Sequence, residues 1–176
     1  IWDRVDLILN IFDKHAKTDE AYLQIKLARL NHEFPKLYAR QATTLFERQR
    51  GGSGTRVRGS GEKGIEDEKR HIRWQIKELE KKIGTFQEVR NNQRKKRKRQ
   101  GLITVAIVGY TNAGKSSLLN ALTKKEVYIA DELFATLDTR IGKTWIPDLN
   151  KEILIADTIG FIRDLPPFLI SSFKAT

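Results

Sequence analysis

The residues Gly109-Tyr110-Thr111-Asn112-Ala113-Gly114-Lys115-Ser116 have the types and spacing of a loop that wraps a chain of phosphates: a glycine, four residues, then Gly-Lys-Ser. Glycine lets the backbone come close to an anion. The amides of residues 112–116 can point at phosphate oxygens, and a helix opening at Lys115 adds the positive end of its dipole. Lys115 supplies a cation for the outer two phosphates, and the Ser116 hydroxyl is placed to coordinate magnesium. Binding is assigned to Gly109, Tyr110, Thr111, Asn112, Ala113, Gly114, Lys115, Ser116 and Ser117. The flanking context suits the loop. Leu102–Val108 is an unbroken apolar run rich in β-branched residues, read as a strand buried on both faces, and 115–122 reads as a short helix.

Two further segments follow in the order such a site needs. Ile153-Leu154-Ile155-Ala156 reads as a strand ending in Asp157-Thr158-Ile159-Gly160. An aspartate at a strand end beside a phosphate loop can hold a metal-bound water, and Gly160 leaves an amide free to meet a terminal phosphate. The tetrapeptide is weak alone; 48 positions after Gly109 (109 to 157) and behind an apolar strand, it carries weight. Between the two lies Glu132-Leu133-Phe134-Ala135-Thr136-Leu137-Asp138-Thr139. A loop that responds to the terminal phosphate needs a hydroxyl for the metal. Thr136 is chosen, with Thr139 as its rival, and Phe134, Ala135, Leu137 and Asp138 are taken with it. The assigned metal ligands are therefore Ser116, Thr136 and, through water, Asp157. The assigned catalytic groups are Lys115, Thr136 and Gly160, and Asp157, Thr158, Ile159 and Gly160 complete the binding set. Asn150-Lys151 begins like a base-reading Asn-Lys-x-Asp motif, but it lacks the Asp and precedes the Asp157 strand, so it is read as a turn. These residues do not fix the identity of the base.

Upstream of residue 101 the texture is helical. Trp2, Val5, Ile8, Leu9 and Phe12 recur near the helical period. Thr18-Asp19 offers an N-cap to a long helix over 21–49, which Pro35 should kink or split. Ile72, Ile76, Leu79, Ile83 and Phe86, spaced 4, 3, 4 and 3, give a heptad seam in a helix over 62–98, with Gly84 a weak point. The long helices are expected to pair as an antiparallel coiled-coil hairpin. Its tip, 50–61, holds five glycines and three arginines. A flexible surface loop is the plainer reading of that tip. Arg94-Lys95-Lys96-Arg97-Lys98-Arg99 sets six cations in a row, and a domain boundary is placed at Gln100–Gly101.

The expected architecture is thus a truncated α/β P-loop NTPase domain over 101–176, preceded by an α-helical hairpin region over 1–100. Further strands are expected at 141–146 and 153–156, joined by the turn signal Pro147-Asp148-Leu149-Asn150, with a helix beginning at Phe168. Half a parallel sheet leaves an open edge and an uncovered face.

Composition sets the outer bounds. The 176 residues include 33 Lys+Arg against 22 Asp+Glu, a net charge of +11 that favours a polyanionic partner. Hydrophobic residues at 39% suffice for a core, against wholesale disorder. The lack of cysteine excludes disulfides and thiolate metal sites, and no apolar run approaches the length of a membrane span. Residue 1 is Ile and methionine is absent, so an internal segment of a longer protein is expected. The tract 94–99, with Arg56 and Arg58, can neutralise several nucleic-acid phosphates. Few aromatics interleave it, so backbone and shape recognition is expected rather than stacking. A solvated linker is the alternative.

The phosphate loop, Phe134-Ala135-Thr136-Leu137-Asp138 and Asp157-Thr158-Ile159-Gly160-Phe161 together resemble the HflX family of ribosome-associated GTPases. Trp2-Asp3-Arg4 followed by Leu7-Ile8-Leu9 and Ile11-Phe12 resembles that family's entry into its helical region. Arg48-Gln49, Gly51-Gly52, Gly54, Gly59 and Gly61-Glu62 resemble its glycine-rich signature. The resemblance implies a translation-factor-type GTPase domain, GTP or GDP with magnesium, and binding to the large ribosomal subunit, with splitting or rescue of stalled ribosomes. It implies that the tip 50–61 approaches ribosomal RNA near the peptidyl-transferase region, and the tract 94–99 is assigned to the same RNA. It also implies that a leading α/β portion and the base-reading half lie outside this chain. Phe161 stands where many GTPases carry a water-orienting glutamine, so slow intrinsic hydrolysis is expected, stimulated by the ribosome. Asn112 resembles the phosphate-loop asparagine of relatives that bind potassium, and the use of potassium stays open. The chain is expected to be monomeric and cytoplasmic. Two other readings compete. One is a P-loop ATPase of another class, opposed by the Asp-Thr-x-Gly motif and Thr136. The other is a non-enzymatic RNA-binding coiled-coil module, opposed by intact Gly114-Lys115-Ser116.

Overall fold

Asp3 starts the first helix with a reciprocal cap. Its carboxylate accepts from the Asp6 amide at 2.8 Å, and the Asp6 carboxylate accepts from the Asp3 amide at 3.1 Å. A computed structural model describes residues 2–50, 60–123 and 140–173, the side chains of 40–50 and 60–63 excepted. Helix α1 (Arg4–His15) buries Ile8, Leu9 and Phe12, the apolar stripe its sequence predicts. Helix α2 (Asp19–Arg50) opens with the Thr18 hydroxyl accepting from the Ala21 amide at 3.2 Å. It runs on through Pro35 and is not split there. Helix α3 (Ser60–Arg99) returns antiparallel to α2. The predicted seam is real: Ile72, Leu79 and Ile83 are buried, Ile76 and Phe86 partly so, and Leu79 and Ile83 pack on Leu27.

Polar contacts fix the pairing of the two long helices at both ends of the seam. Arg90 of α3 meets Glu20 of α2 at 2.7 Å. Toward the tip, Arg73 donates to the Tyr38 hydroxyl at 2.7 Å, and the Lys69 ammonium lies 3.9 Å from the centre of the Tyr38 ring. Helix α3 ends in a defined cap rather than by fraying. The Leu102 amide reaches the Arg97 carbonyl, and the Gly101 amide the Lys98 carbonyl, both at 3.1 Å. Gly101 takes the left-handed φ of +70° that this capping motif requires.

Three strands follow, β1 (Ile103–Ile107), β2 (Arg140–Ile146) and β3 (Lys151–Asp157), ordered β1-β3-β2. β3 pairs parallel with β1, in register from Ile103 with Ile153 to Ile107 with Asp157, and antiparallel with β2. The sheet is therefore mixed where a purely parallel half-sheet was expected, because β2 and β3 form a hairpin. That hairpin turns through the 3-10 segment Pro147–Leu149 and Asn150 at φ 45°, as the turn signal predicts. Helix α4 (Lys115–Thr123) seats its buried Leu119 and packs on β2 and β3. Burial of β1 on both faces does not hold: Ile103 is 46% and Val105 45% exposed. Among the described strands β1 lies at the edge, and among the described elements α4 lies toward the other two strands. No described helix is long and apolar enough to cross a membrane.

Helix α5 (Pro167–Ser172) closes onto the helical part. Leu169 is fully buried among Ile8, Leu9, Phe12, Ala16, Ala21, Ile25 and Ala28, and Phe173 meets Phe12 edge-on at 4.9 Å. Burying a side chain such as Leu169 or Phe12 contributes about 1.5–3 kcal/mol. This cluster is built from residues on both sides of Gln100–Gly101.

The α1 cap is tied to α2 as well. His32 Nε2 lies 2.8 Å from the Asp3 carboxylate and Lys36 Nζ 3.1 Å from it, with Asp6 at 3.4 and 3.6 Å from the same two groups. The Asp6 amide, then Lys36 and His32, hold the Asp3 carboxyl well below the usual carboxylate range. The bond to Asp3 pushes Lys36 up. A depressed carboxyl contributes stability that is present above its unfolded-state pKa, about 3.9, and is lost as pH falls through the folded value. Asp3→Ala is expected to cost about 1 kcal/mol near neutrality in denaturant unfolding. The gap from the parent should shrink as the pH is taken below about 4.

Candidate phosphate and metal site

β1 delivers the chain into the phosphate loop, and α4 begins at its end. The loop turns through positive φ at Asn112 (58°) and Gly114 (77°), and the Leu118 amide bonds the Gly114 carbonyl at 2.9 Å to start the helix. Lys115 folds back across the loop, its Nζ donating to the Tyr110 carbonyl at 2.7 Å. The lysine is thereby held against the loop's own backbone.

Ser116 and Asp157, 41 residues apart in sequence, meet: the hydroxyl donates to the carboxylate at 2.6 Å. Asp157 is fully buried and also accepts from the Thr158 amide at 3.0 Å. The Thr158 hydroxyl donates to the Ile107 carbonyl at 2.7 Å, which ties the end of β3 to the end of β1. A hydroxyl and a carboxylate side by side are hard oxygen donors, the kind that suits magnesium with most of its waters retained. Ser116 and Asp157 therefore fit the ion that the loop implies.

The segment after Asp157 is paired with the loop, a feature the spacing did not reveal. The Phe161 amide donates to the Gly109 carbonyl at 2.8 Å, and the Thr111 amide to the Phe161 carbonyl at 3.3 Å. The Tyr110 and Phe161 rings stand edge to face, 6.4 Å apart and largely exposed. Gly160 lies so close that a Cβ there would fall 2.4 Å from the Thr111 nitrogen. Its glycine is a requirement of space. The density of apolar residues at Ile159, Phe161, Ile162 and Leu165 was the sequence signal that this segment is no free loop; Ile159, Ile162 and Leu165 pack on the helical cluster, and Phe161 alone of the four meets the phosphate loop.

Phe134, Ala135, Thr136, Leu137 and Asp138, and the rival Thr139, lie outside the described residues, as does 51–59 of the tip. The cationic tract forms the last turns of α3. Arg94, Arg97 and Lys98 line an open cleft toward Thr104 and Ala106 of β1, while Lys95, Lys96 and Arg99 stand exposed outside it.

Residues 15–97 match the family model described as GTP-binding GTPase Middle Region, and 104–175 match 50S ribosome-binding GTPase. The chain is 47% identical over all of its 176 residues to the GTPase HflX of Caldanaerobacter subterraneus subsp. tengcongensis, covering 40% of that relative. It is 43% identical over 174 residues (99% of this chain) to the GTPase HflX of Escherichia coli K12, again covering 40%. The crystal structure of a GTP-binding protein from the archaeon Sulfolobus solfataricus in complex with GDP aligns with 98% of this chain and 39% of its own. It does so at 27% identity and a TM-score of 0.41, too low to bear on the fold. The chain thus spans about 40% of the length of the curated relatives it matches. Strand, Gly-x4-Gly-Lys-Ser loop, helix and a buried aspartate ending the parallel neighbour define the α/β P-loop class. With both family models matched in order and near half identity along the whole chain, it belongs to the HflX family of GTPases.

The tight seat of Gly160 makes a prediction. In Gly160→Ala the added methyl must push the segment off the loop. Faster amide exchange at Thr111 and Phe161, with helical circular dichroism unchanged, is the expected result.

Proposed function

We propose that this chain carries the phosphate- and metal-binding half of a guanine-nucleotide switch in a protein that hydrolyses GTP on the large ribosomal subunit. The observation that carries the reading is the Ser116 hydroxyl on the buried Asp157 carboxylate, 2.6 Å apart, beside the phosphate loop. In this account the amides of 112–116 take the phosphates. Lys115 exchanges the Tyr110 carbonyl for β- and γ-phosphate oxygens. Ser116 holds magnesium directly and Asp157 through a water, with Thr136 as the hydroxyl from the intervening loop. The metal, when bound, neutralises charge on the outer phosphates. Gly160 offers its amide to the γ-phosphate once the pairing of Phe161 with Gly109 opens.

Guanine is inferred from the family and its relatives, since the described residues reach only the phosphates. Phe161 has no group that can orient water by hydrogen bonding, so intrinsic turnover is slow and a second element, supplied by the ribosome, completes the site. Asn112, at the loop's first positive φ, is the candidate for assisting a potassium ion. The tip 50–61 and the tract 94–99 are the proposed contacts with ribosomal RNA, and nucleotide state controls that grip during splitting or rescue of stalled ribosomes. We take the protein to act as a cytoplasmic monomer.

Two measurements test this on the intact protein. Magnesium-dependent affinity for GTP should fall roughly ten- to hundredfold in Lys115→Ala, the scale of a lost bond to a charged partner. Absence of any magnesium-dependent nucleotide affinity in the parent would falsify the reading. Neutralising residues 95–98 should weaken ribosome binding and flatten its log–log salt dependence by about one for each RNA phosphate that is no longer bound. An unchanged slope would remove the tract from the interface.

A further inference from the structure

The chain that leaves β3 is held from two sides. On one side lies the phosphate loop, paired with Phe161. On the other lies α1. Ile159, Ile162 and Leu165 pack on the cluster of Ile8, Leu9 and Phe12 from α1 with Ala21 and Ile25 from α2. The turn beyond them is gripped by a single side chain. The Arg4 guanidinium donates to the Arg163 carbonyl and, at 3.3 Å, to the Asp164 carbonyl. Asp164 sits at φ 56°, a left-handed turn conformation open to aspartate, which a constraint from outside the turn can hold in place. A planar fork bonding two successive carbonyls is such a constraint, and the single point charge of lysine does not reproduce it.

Gly160 packs on Thr111 in this arrangement, with no room for a Cβ between the two backbones. A terminal phosphate that took the Gly160 amide would compete with this packing, whereas a diphosphate lacks the group that reaches for that amide. Whatever anchors the loop-paired arrangement biases the site against the triphosphate by its share of that equilibrium. We propose that Arg4 is a positioning residue for the nucleotide site: from α1 it anchors the turn after Gly160 in the loop-paired arrangement and so favours diphosphate over triphosphate. Arg4 touches no reacting atom and acts through the backbone of 159–164. The inference rests on the reading of the site as a guanine-nucleotide switch.

The test compares the intact parent with Arg4→Ala and Arg4→Lys. Three quantities are read: amide exchange at 159–164 without nucleotide, affinity for GDP, and affinity for a non-hydrolysable GTP analogue, the last two with magnesium. In Arg4→Ala, exchange in the segment rises and GDP affinity stays within about twofold. Affinity for the analogue rises roughly three- to tenfold, the scale of one or two exposed hydrogen bonds. Arg4→Lys gives an intermediate rise. Should Arg4→Ala loosen the whole chain, with exchange rising everywhere and the unfolding temperature dropping, the lysine variant decides by the same ratio. If GDP and the analogue shift together, or neither shifts, Arg4 is a structural prop and the proposal is overturned. Unchanged exchange at 159–164 overturns the anchor itself, whatever the nucleotides do. A parent that binds neither nucleotide brings down the switch reading, and this inference with it, and is recognised by that result alone.

Discussion

The bond between the Ser116 hydroxyl and the Asp157 carboxylate is the constraint around which the rest of the site is arranged. A carboxylate with no exposed surface is costly unless polar partners surround it. Asp157 has the hydroxyl of α4's second residue on one oxygen and the Thr158 amide on the other. Satisfying that buried group fixes where α4 begins relative to β3. Thr158 then reaches back to the Ile107 carbonyl, so β1 is drawn into the same knot. Three elements meet there, and the loop between two of them has little freedom left. The groups that make the knot are also the oxygens a magnesium ion would take, so the metal would exchange an internal bond for its own coordination.

What the sequence made legible was what depends on near neighbours. The glycine spacing of 109–114, the lysine and serine after it, the turn at 147–150 and the heptad seam of α3 all depend on local geometry, and each lies where its pattern pointed. What escaped depends on partners far away in the chain. Arg4 is about 160 residues from the carbonyls it bonds, and no period or spacing encodes that pairing. The apolar run at Leu102–Val108 reported what a strand prefers, not what would cover it, hence the error about β1. Pro35 was expected to bend or divide α2, and helix continues on both sides of it. Packing of Leu30 below it against the α3 seam helps to carry the helix through.

Helix α2 serves two partners with two faces. Ala21, Ile25 and Ala28 point into the cluster shared with α1 and α5, whereas Leu23, Leu27 and Leu30 belong to the seam with α3. Two of the three residues on the first face are alanines, and the leucines on the second meet the heptad seam of α3. The segment paired with the loop at Gly109 and the long hairpin are therefore neighbours of one and the same helix. Displacing either would be felt across its width, about 10 Å.

The sharp stop at Gly101 has a further meaning for the six cations before it. Because the helix ends within one residue of Arg99 and the first strand starts at Ile103, there is almost no slack between charge and sheet. A tethered basic tail would sample many orientations and lose entropy on ordering. Here the charges sit on a rigid rod, stepping about 1.5 Å along it and about 100° around it per residue. A polyanion meeting them would encounter a template of fixed pitch, with its orientation to the sheet already chosen.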